Sequence, residues 1–292
     1  MKLKLGLIAM VFAGSAFAQT QGVSKNEIVI GSMQDLSAAS LEDVKSFFRK
    51  YYAPNNAVIA IVGDVDAKST IEKVRKYFEA IPSQPAPPAV DMTEPQQAEE
   101  RRATLEDPLA RLTRVDMAYK VPPSSSPDDD ALTVMATILS GGRSGRFYEA
   151  IVREKQLATN VSAGSSESRG PGLFNVVGMM QPGKSAADLE AAIDTEIEKL
   201  KTGPIADWEI EKARTGARSG FVNSVGSSLQ RAVLLSQYAM FYDKPDLINT
   251  RAESIAKVTA ADVQRVARRY LVKTGRTVVT TGPKAAPAKG AM

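Results

Sequence analysis

The sequence predicts an α+β fold in which helices pack on one face of a mainly antiparallel sheet. Two neighbouring segments, 101–106 and 114–121, have the composition of strands. A hairpin is predicted to join 158–165 to 173–180, because the residues between them are rich in Gly, Ser and Pro. The segments around these strands carry apolar residues at helical spacing, and another strand follows at 277–281.

The predicted helices each present one apolar face. A helix begins after Ser126-Pro127, and the three aspartates that follow are interpreted as helix-start acids, since they lack the alternating spacing and glycine of a calcium loop. The segment 141–146 lacks the Lys-Ser/Thr ending of a P-loop, which favours a helix end followed by a new helix start at Ser144 that runs to about Lys155. The apolar faces contain Leu132, Met135 and Leu139; Leu189, Ile193, Ile197 and Leu200; Ile210, Ala213, Ala217 and Phe221; and Leu234, Tyr238 and Phe241.

Composition excludes several kinds of chemistry. The 292 residues include no histidine and no cysteine. The chain therefore offers no Ser-His-Asp triad, thiolate nucleophile, disulfide or His-ligated zinc. Without its four terminal lysines the chain has 33 basic and 33 acidic residues, so its basic isoelectric point is no evidence for nucleic-acid binding.

The N-terminus has the pattern of a secretory signal peptide. Lys2 and Lys4 precede the apolar stretch 5–17, which ends in the small-x-small cleavage pattern Ala16-Phe17-Ala18. The apolar run is shorter than the ~20 residues that span a bilayer. We therefore predict removal of residues 1–18, a periplasmic or otherwise exported protein, and no membrane attachment after cleavage.

A short leader follows the predicted cleavage site. Residues 22–37 resemble the first strand of a branched-chain amino-acid periplasmic binding protein. Such a protein needs strands and helices that alternate over a much longer chain, and nothing downstream supplies them. Residues 19–39 are thus interpreted as a leader joined to a different domain.

An internal repeat connects two distant segments. With an offset of 219 positions, residues 40–63 align without a gap on residues 259–282. Each copy begins with a Ser/Thr-x-x-Asp helix cap and is predicted to continue through a helix and an aromatic turn into a strand, at 58–62 or 277–281. We predict that the two segments arose by duplication. Identical pairs are Asp43 and Asp262, Val44 and Val263, Arg49 and Arg268, Tyr51 and Tyr270, and Gly63 and Gly282.

A proline-rich segment separates the two predicted domains. The stretch that begins Ile81-Pro82 and continues to residue 100 has the composition of an extended linker. The predicted boundaries are 40–80 for the C-terminal remnant of a first domain, 81–100 for the linker, 101–283 for a complete second domain and 284–292 for a disordered tail.

Several stretches resemble the insulinase/pitrilysin family of zinc metallopeptidases, in particular its bacterial, processing-peptidase-like branch. The resemblance covers about residues 38–284. The stretches that carry it are Leu41-Glu42-Asp43-Val44, Tyr51-Tyr52-Ala53-Pro54-Asn55-Asn56-Ala57-Val58, Val62-Gly63-Asp64, Arg153-Glu154-Lys155-Gln156-Leu157-Ala158 and Val258-Thr259-Ala260-Ala261-Asp262-Val263-Gln264.

The resemblance implies tandem α+β domains that enclose a peptide chamber. The family's first domain holds zinc through an H-x-x-E-H motif, which this chain cannot contain, so most of the catalytic domain is missing. What is present corresponds to the non-catalytic half. The expected partners are a zinc-bearing peptidase subunit of the same family and a peptide substrate, with no metal or cofactor in this chain.

One site residue follows from the resemblance. Many members contribute an arginine and a tyrosine, about seven residues apart, to the bound peptide; Arg153 matches the arginine, whereas Thr159 falls at the tyrosine position. Arg153 is a candidate donor to a peptide carbonyl or a developing oxyanion. The alternative is a solvated arginine at a helix end, where its charge suits the helix dipole.

Two other functions stay open at this stage. The chain could be a solute-binding protein of an amino-acid transporter, as its leader suggests. It could also be a truncated fusion without function, whose incomplete first domain exposes a sheet edge.

Overall fold

A computed structural model describes residues 32–166 and 168–284. The predictions for the signal peptide, for leader residues 19–31 and for tail residues 285–292 lie outside these residues. The described residues form two compact units, one within Met1–Asp91 and Ser227–Pro245 and the other within Met92–Gly226 and Asp246–Met292. The domain boundaries derived from the sequence stay predictions; they assign residues 227–245 to the second domain, whereas these residues group here with the first unit.

The second unit is built on a five-stranded sheet with the order β1-β5-β2-β4-β3. Only β1 and β5 run parallel, and the other neighbours are antiparallel. The α+β class is thereby confirmed, together with all five strands predicted for this unit. The strands are β1 (Arg101–Asp107), β2 (Arg114–Val121), β3 (Ala158–Ser165), β4 (Gly172–Met180) and β5 (Arg276–Pro283).

Nine α-helices are assigned among the described residues, and none of these is long and apolar enough to cross a membrane. The predicted linker, 81–100, contains neither helix nor strand. The helices are α1 (Met33–Ala38), α2 (Leu41–Tyr51), α3 (Ala67–Phe78), α4 (Asp129–Ser140), α5 (Ala186–Thr202), α6 (Asp207–Ser224), α7 (Ser228–Tyr242), α8 (Leu247–Lys257) and α9 (Ala260–Tyr270).

The core of the second unit lies between the sheet and its helices. Alternate residues of β2 point into it, and the intervening ones lie on the open face of the sheet. α4 and α5 bury the apolar faces that their spacing predicts, and α9 buries Val263, Val266 and Ala267. The β2 residues in the core are Val115, Met117, Tyr119 and Val121.

The predicted helix start at Ser144 is wrong. α4 ends at Ser140 with Gly141 as its C-cap, as expected. Gly142 has the positive φ that favours glycine, and Gly142–Ser144 form a 3₁₀ turn. The Lys212 ammonium donates to the Ser144 hydroxyl at 2.5 Å and to the Gly141 carbonyl at 3.0 Å. The next helix begins at Arg146, two residues after Ser144, and is a π-helix over Tyr148–Glu154.

The first unit differs from its prediction in one element. Neither α2 nor α3 has a buried residue, and residues 57–62 form no strand although 58–62 is β-prone. A strand persists only when a neighbour satisfies its backbone, and no strand lies in the described part of this unit.

Candidate functional site

Arg153 lies on the surface of the π-helix Tyr148–Glu154. Its side chain is 60% exposed and forms ion pairs with Glu149, one turn earlier, and with Glu154 at 3.7 Å. Exposed pairs of this kind contribute little free energy, so another acceptor can take over the guanidinium at small cost. Both interpretations of Arg153 therefore stay open.

A short connection fixes the position of this helix relative to β3. Ile151 is fully buried, and its carbonyl accepts the Leu157 amide at 3.0 Å. Gln156 adopts a left-handed φ of 50°, which turns the chain, and β3 begins at Ala158. Arg153 is thus anchored by the packing beneath it and lies close in sequence to an edge strand.

Thr159 occupies an irregularity in β3. Ala158 pairs with Met180 and Asn160 pairs with Met179, so Thr159 is the extra residue of a bulge. Its hydroxyl donates to the Met179 carbonyl at 3.2 Å. Thr159 is thus engaged within its own hairpin and offers no phenol to a ligand.

The edge of the sheet beside this helix is partly closed. β3 is an outermost strand, which leaves half of its backbone groups without a strand partner. The Ser140 hydroxyl, at the end of α4, accepts the Ala163 amide at 2.9 Å and donates to the Ala163 carbonyl at 3.0 Å. Within residues 158–162, Ala158 and Val161 are buried, whereas Thr159, Asn160 and Ser162 are exposed.

The chain's residues do not fit a zinc ion. The sequence lacks histidine and cysteine, and the described residues contain no cluster of three or more acidic side chains that could hold a metal. The aspartates at the start of α4 are engaged by arginines instead. Arg251 pairs with Asp129 and, at 3.6 Å, with Asp130.

Asp128 attaches the start of α4 to α9. It accepts hydrogen bonds from Arg265 at 2.7 Å and from the Tyr270 hydroxyl at 2.6 Å. Burial alone would raise the pKa of Asp128, but these donors outweigh it and lower the pKa. Burial and the bond to Asp128 raise the pKa of Tyr270 to about 12. For Asp129, burial exceeds the effect of Arg251 and raises the pKa.

A second cluster of charges surrounds Arg276, which is buried at the start of β5. Its guanidinium pairs with Glu100, with Glu190 at 2.8 Å and with Asp194 at 2.5 Å. Burial raises the pKa of the nearby Tyr119 to about 12. Sequence reasoning missed both clusters, because their members lie far apart in the chain and only the fold brings them together. Their groups are mutually satisfied, so we assign them to stability.

A family comparison identifies the architecture. Residues 38–217 match the family described as the peptidase M16 inactive domain. The chain belongs to this family. The insulinase/pitrilysin resemblance is thereby confirmed, and so is the expected non-catalytic type of domain.

Relatives of this M16 chain support the assignment. It is 29% identical over 256 residues to the zinc protease PqqE of Helicobacter pylori, covering 87% of the chain and 57% of that protein. It is 25% identical to a probable mitochondrial-processing peptidase subunit beta of Arabidopsis thaliana, covering 87% of the chain and 49% of that protein. The chain thus spans about half the length of these curated relatives.

Solved structures show the same fold. A crystal structure of a protease from Helicobacter pylori superposes with a TM-score of 0.79 at 29% identity, covering 87% of the M16 chain and 62% of that protein.

Proposed function

We propose that the chain is the non-catalytic, peptide-binding half of an M16 zinc peptidase and that it works with a zinc-bearing M16 partner. One observation carries the proposal: a chain of this family has no histidine among its 292 residues. An H-x-x-E-H site needs two imidazoles, so the metal and its activated water must come from another polypeptide segment.

The names of the relatives support a function that this chain shares with a partner subunit. Those matched include zinc proteases, and the Arabidopsis protein is named as a subunit of a processing peptidase. We infer that this chain, like a subunit, contributes one wall of a peptide chamber. Export to the periplasm is part of the proposal and rests on the pattern around Lys2, Lys4 and Ala18.

Peptide binding is assigned to Arg153 and to the exposed residues Thr159, Asn160 and Ser162 of β3. An extended peptide that lies along these residues can form hydrogen bonds with their polar side chains without demanding a particular sequence, which suits an unfolded substrate. Arg153 can exchange its exposed pair with Glu149 for a peptide carbonyl and so orient the bound segment. This chain would bind and position the peptide, and the partner would cleave it.

The proposal is tested by reconstitution with a co-purified H-x-x-E-H subunit. The full chain alone should show no chelator-sensitive peptide hydrolysis, and the mixture should hydrolyse an unfolded peptide. Arg153→Ala should raise the KM of the mixture several-fold more than Arg218→Ala, the same change at an exposed arginine of α6. Arg153→Lys should rescue part of the loss if charge alone matters.

Two results would contradict this function. Robust zinc-dependent hydrolysis by the purified chain would remove the need for a partner. Saturable binding of branched-chain amino acids by calorimetry, without any effect on peptide hydrolysis, would favour the solute-binding alternative.

A further inference from the structure

The second edge of the sheet is the outer side of β1. β1 pairs with β5 on one side, and no described strand pairs with it on the other. The side chains of residues 101–106 are all exposed, although Arg102 also pairs with Glu190 of α5. Free edges of this kind pair with another strand unless their side chains prevent it.

The charges of β1 favour pairing with itself. The strand reads Arg-Arg-Ala-Thr-Leu-Glu-Asp, with two cations at its start and two anions at its end. Edge charges of a single sign would repel a second copy. Here an antiparallel copy meets the opposite sign at both ends.

One register satisfies both the charges and the backbone. Centred on Thr104, it places Arg101 opposite the partner's Asp107 and Arg102 opposite the partner's Glu106. In a register centred on a residue, odd-numbered residues face odd-numbered ones and even-numbered residues face even-numbered ones. The outward-facing amides and carbonyls of the two strands then lie opposite each other. A centre at Ala103 also does so, but it places Glu100 opposite the partner's Glu106.

The side chains needed for this register are accessible. Among the described residues, Arg101 and Glu106 form no ion pair with another side chain. The Arg102 side chain is 53% exposed but already pairs with Glu100 and Glu190, so the two Arg101–Asp107 pairs carry the charge argument. On the open face, the exposed Leu105 would lie against the partner's Ala103. Cross-strand pairs of opposite charge, and apolar pairs on one face, are the contacts that stabilise a sheet.

We propose that the chain forms a two-fold homodimer in which the two β1 strands pair antiparallel about Thr104. The two five-stranded sheets then form one continuous sheet, with both helix layers on the same side. This contact leaves β3 and Arg153 free, and it does not depend on the proposed function.

Sedimentation velocity on the full chain tests the register by complementary charge changes. Arg101→Glu and Asp107→Lys each create two repulsive pairs in a homodimer, so each variant should sediment as a monomer. Mixed in equal amounts they should dimerise, because both pairs become attractive. Arg111→Glu, the same charge change at an exposed turn residue outside the strand, should leave the dimer unchanged.

A cross-link gives a second measurement that does not depend on how the charge variants fold. The natural chain has no cysteine, so Thr104→Cys places a single thiol opposite its own copy. Oxidation should give a covalent dimer, whereas Arg111→Cys should not. A wild-type chain that stays monomeric, a dimer that fails to cross-link through Thr104→Cys, or a variant mixture that does not associate would overturn the proposal.

Discussion

Residues 40–63 and 259–282 share their local structure but not their environment. α2 and α9 each have 11 residues, and each begins with a capping box in which the Asp43 or Asp262 carboxylate accepts the backbone N–H of its cap residue. Each helix is followed by a 3₁₀ turn at the same offset, Pro54–Asn56 and Lys273–Gly275. Caps, helix and turn are therefore set by residues within each segment.

Burial separates the two helices. Val263, Val266 and Ala267 are fully buried in the core of the second unit. The corresponding residues of α2 are Val44, Phe47 and Phe48, which are 48%, 47% and 51% exposed. An apolar stripe thus becomes a core only where the fold supplies a surface to cover it.

The strands differ for the same reason. β5 lies between β1 and β2 and is fully paired, whereas residues 57–62 form no strand. β-propensity measures how well a residue fits beside neighbouring strands, and it does not create those neighbours. In both copies of the repeat, the residues of the segment itself determine the helix and the turn. The strand forms only in the copy that has neighbouring strands to pair with.

The largest expected difference comes from a buried charge. Val263→Asp should lower the free energy of unfolding of the second unit by about 3–5 kcal/mol, because it buries an unpaired carboxylate. Val44→Asp, at the equivalent position of α2, should change it by less than about 0.5 kcal/mol. Urea unfolding followed by the single tryptophan, Trp208 in α6, measures both. Equal losses would show that the α2 face is covered in solution.

Sequence reasoning succeeded where short-range patterns decide the structure. The strands of the second unit, and the apolar faces of α4 and α5, follow from periodicity and turn residues. It failed at 58–62, where a partner strand is required, and at Ser144, where Lys212 from a distant helix holds the turn. The bulge at Thr159 and the Arg276 cluster also depend on distant pairings, so spacing alone could not reveal them.

A smaller difference is expected at the tyrosines that end the two helices. Tyr270 donates to the buried Asp128, whereas the equivalent Tyr51 has no such carboxylate partner among the described residues. Tyr270→Phe should therefore lower the free energy of unfolding of the second unit by about 1.5–3 kcal/mol, the range for a hydrogen bond to a charged group. Tyr51→Phe should leave the free energy of unfolding of the second unit unchanged.

Alkaline pH provides an independent test of the Tyr270 contact. The pKa of Tyr270 is about 12 in the folded chain and about 10 when unfolded, so its contribution is present below pH 10 and is lost as the pH rises towards 12. Tyr270→Phe should reduce this loss, and the part that persists should come from Tyr119, whose pKa is raised in the same direction. An unchanged alkaline profile would contradict the Tyr270–Asp128 contact.

The smallest difference should be found at the caps, where the two copies ought to behave alike. The hydrogen bonds from Ser40 lower the pKa of Asp43, and those from Thr259 lower the pKa of Asp262. Each carboxylate should stabilise its helix above the ordinary aspartate pKa of about 3.9 and lose this effect as the pH falls through its lowered value. Carboxyl NMR titration should show both midpoints below that of a free aspartate. Ser40→Ala should raise only the pKa of Asp43, and Thr259→Ala only that of Asp262. If the two midpoints shifted in opposite directions, the surroundings of the helices, and not their own cap residues, would control these carboxylates.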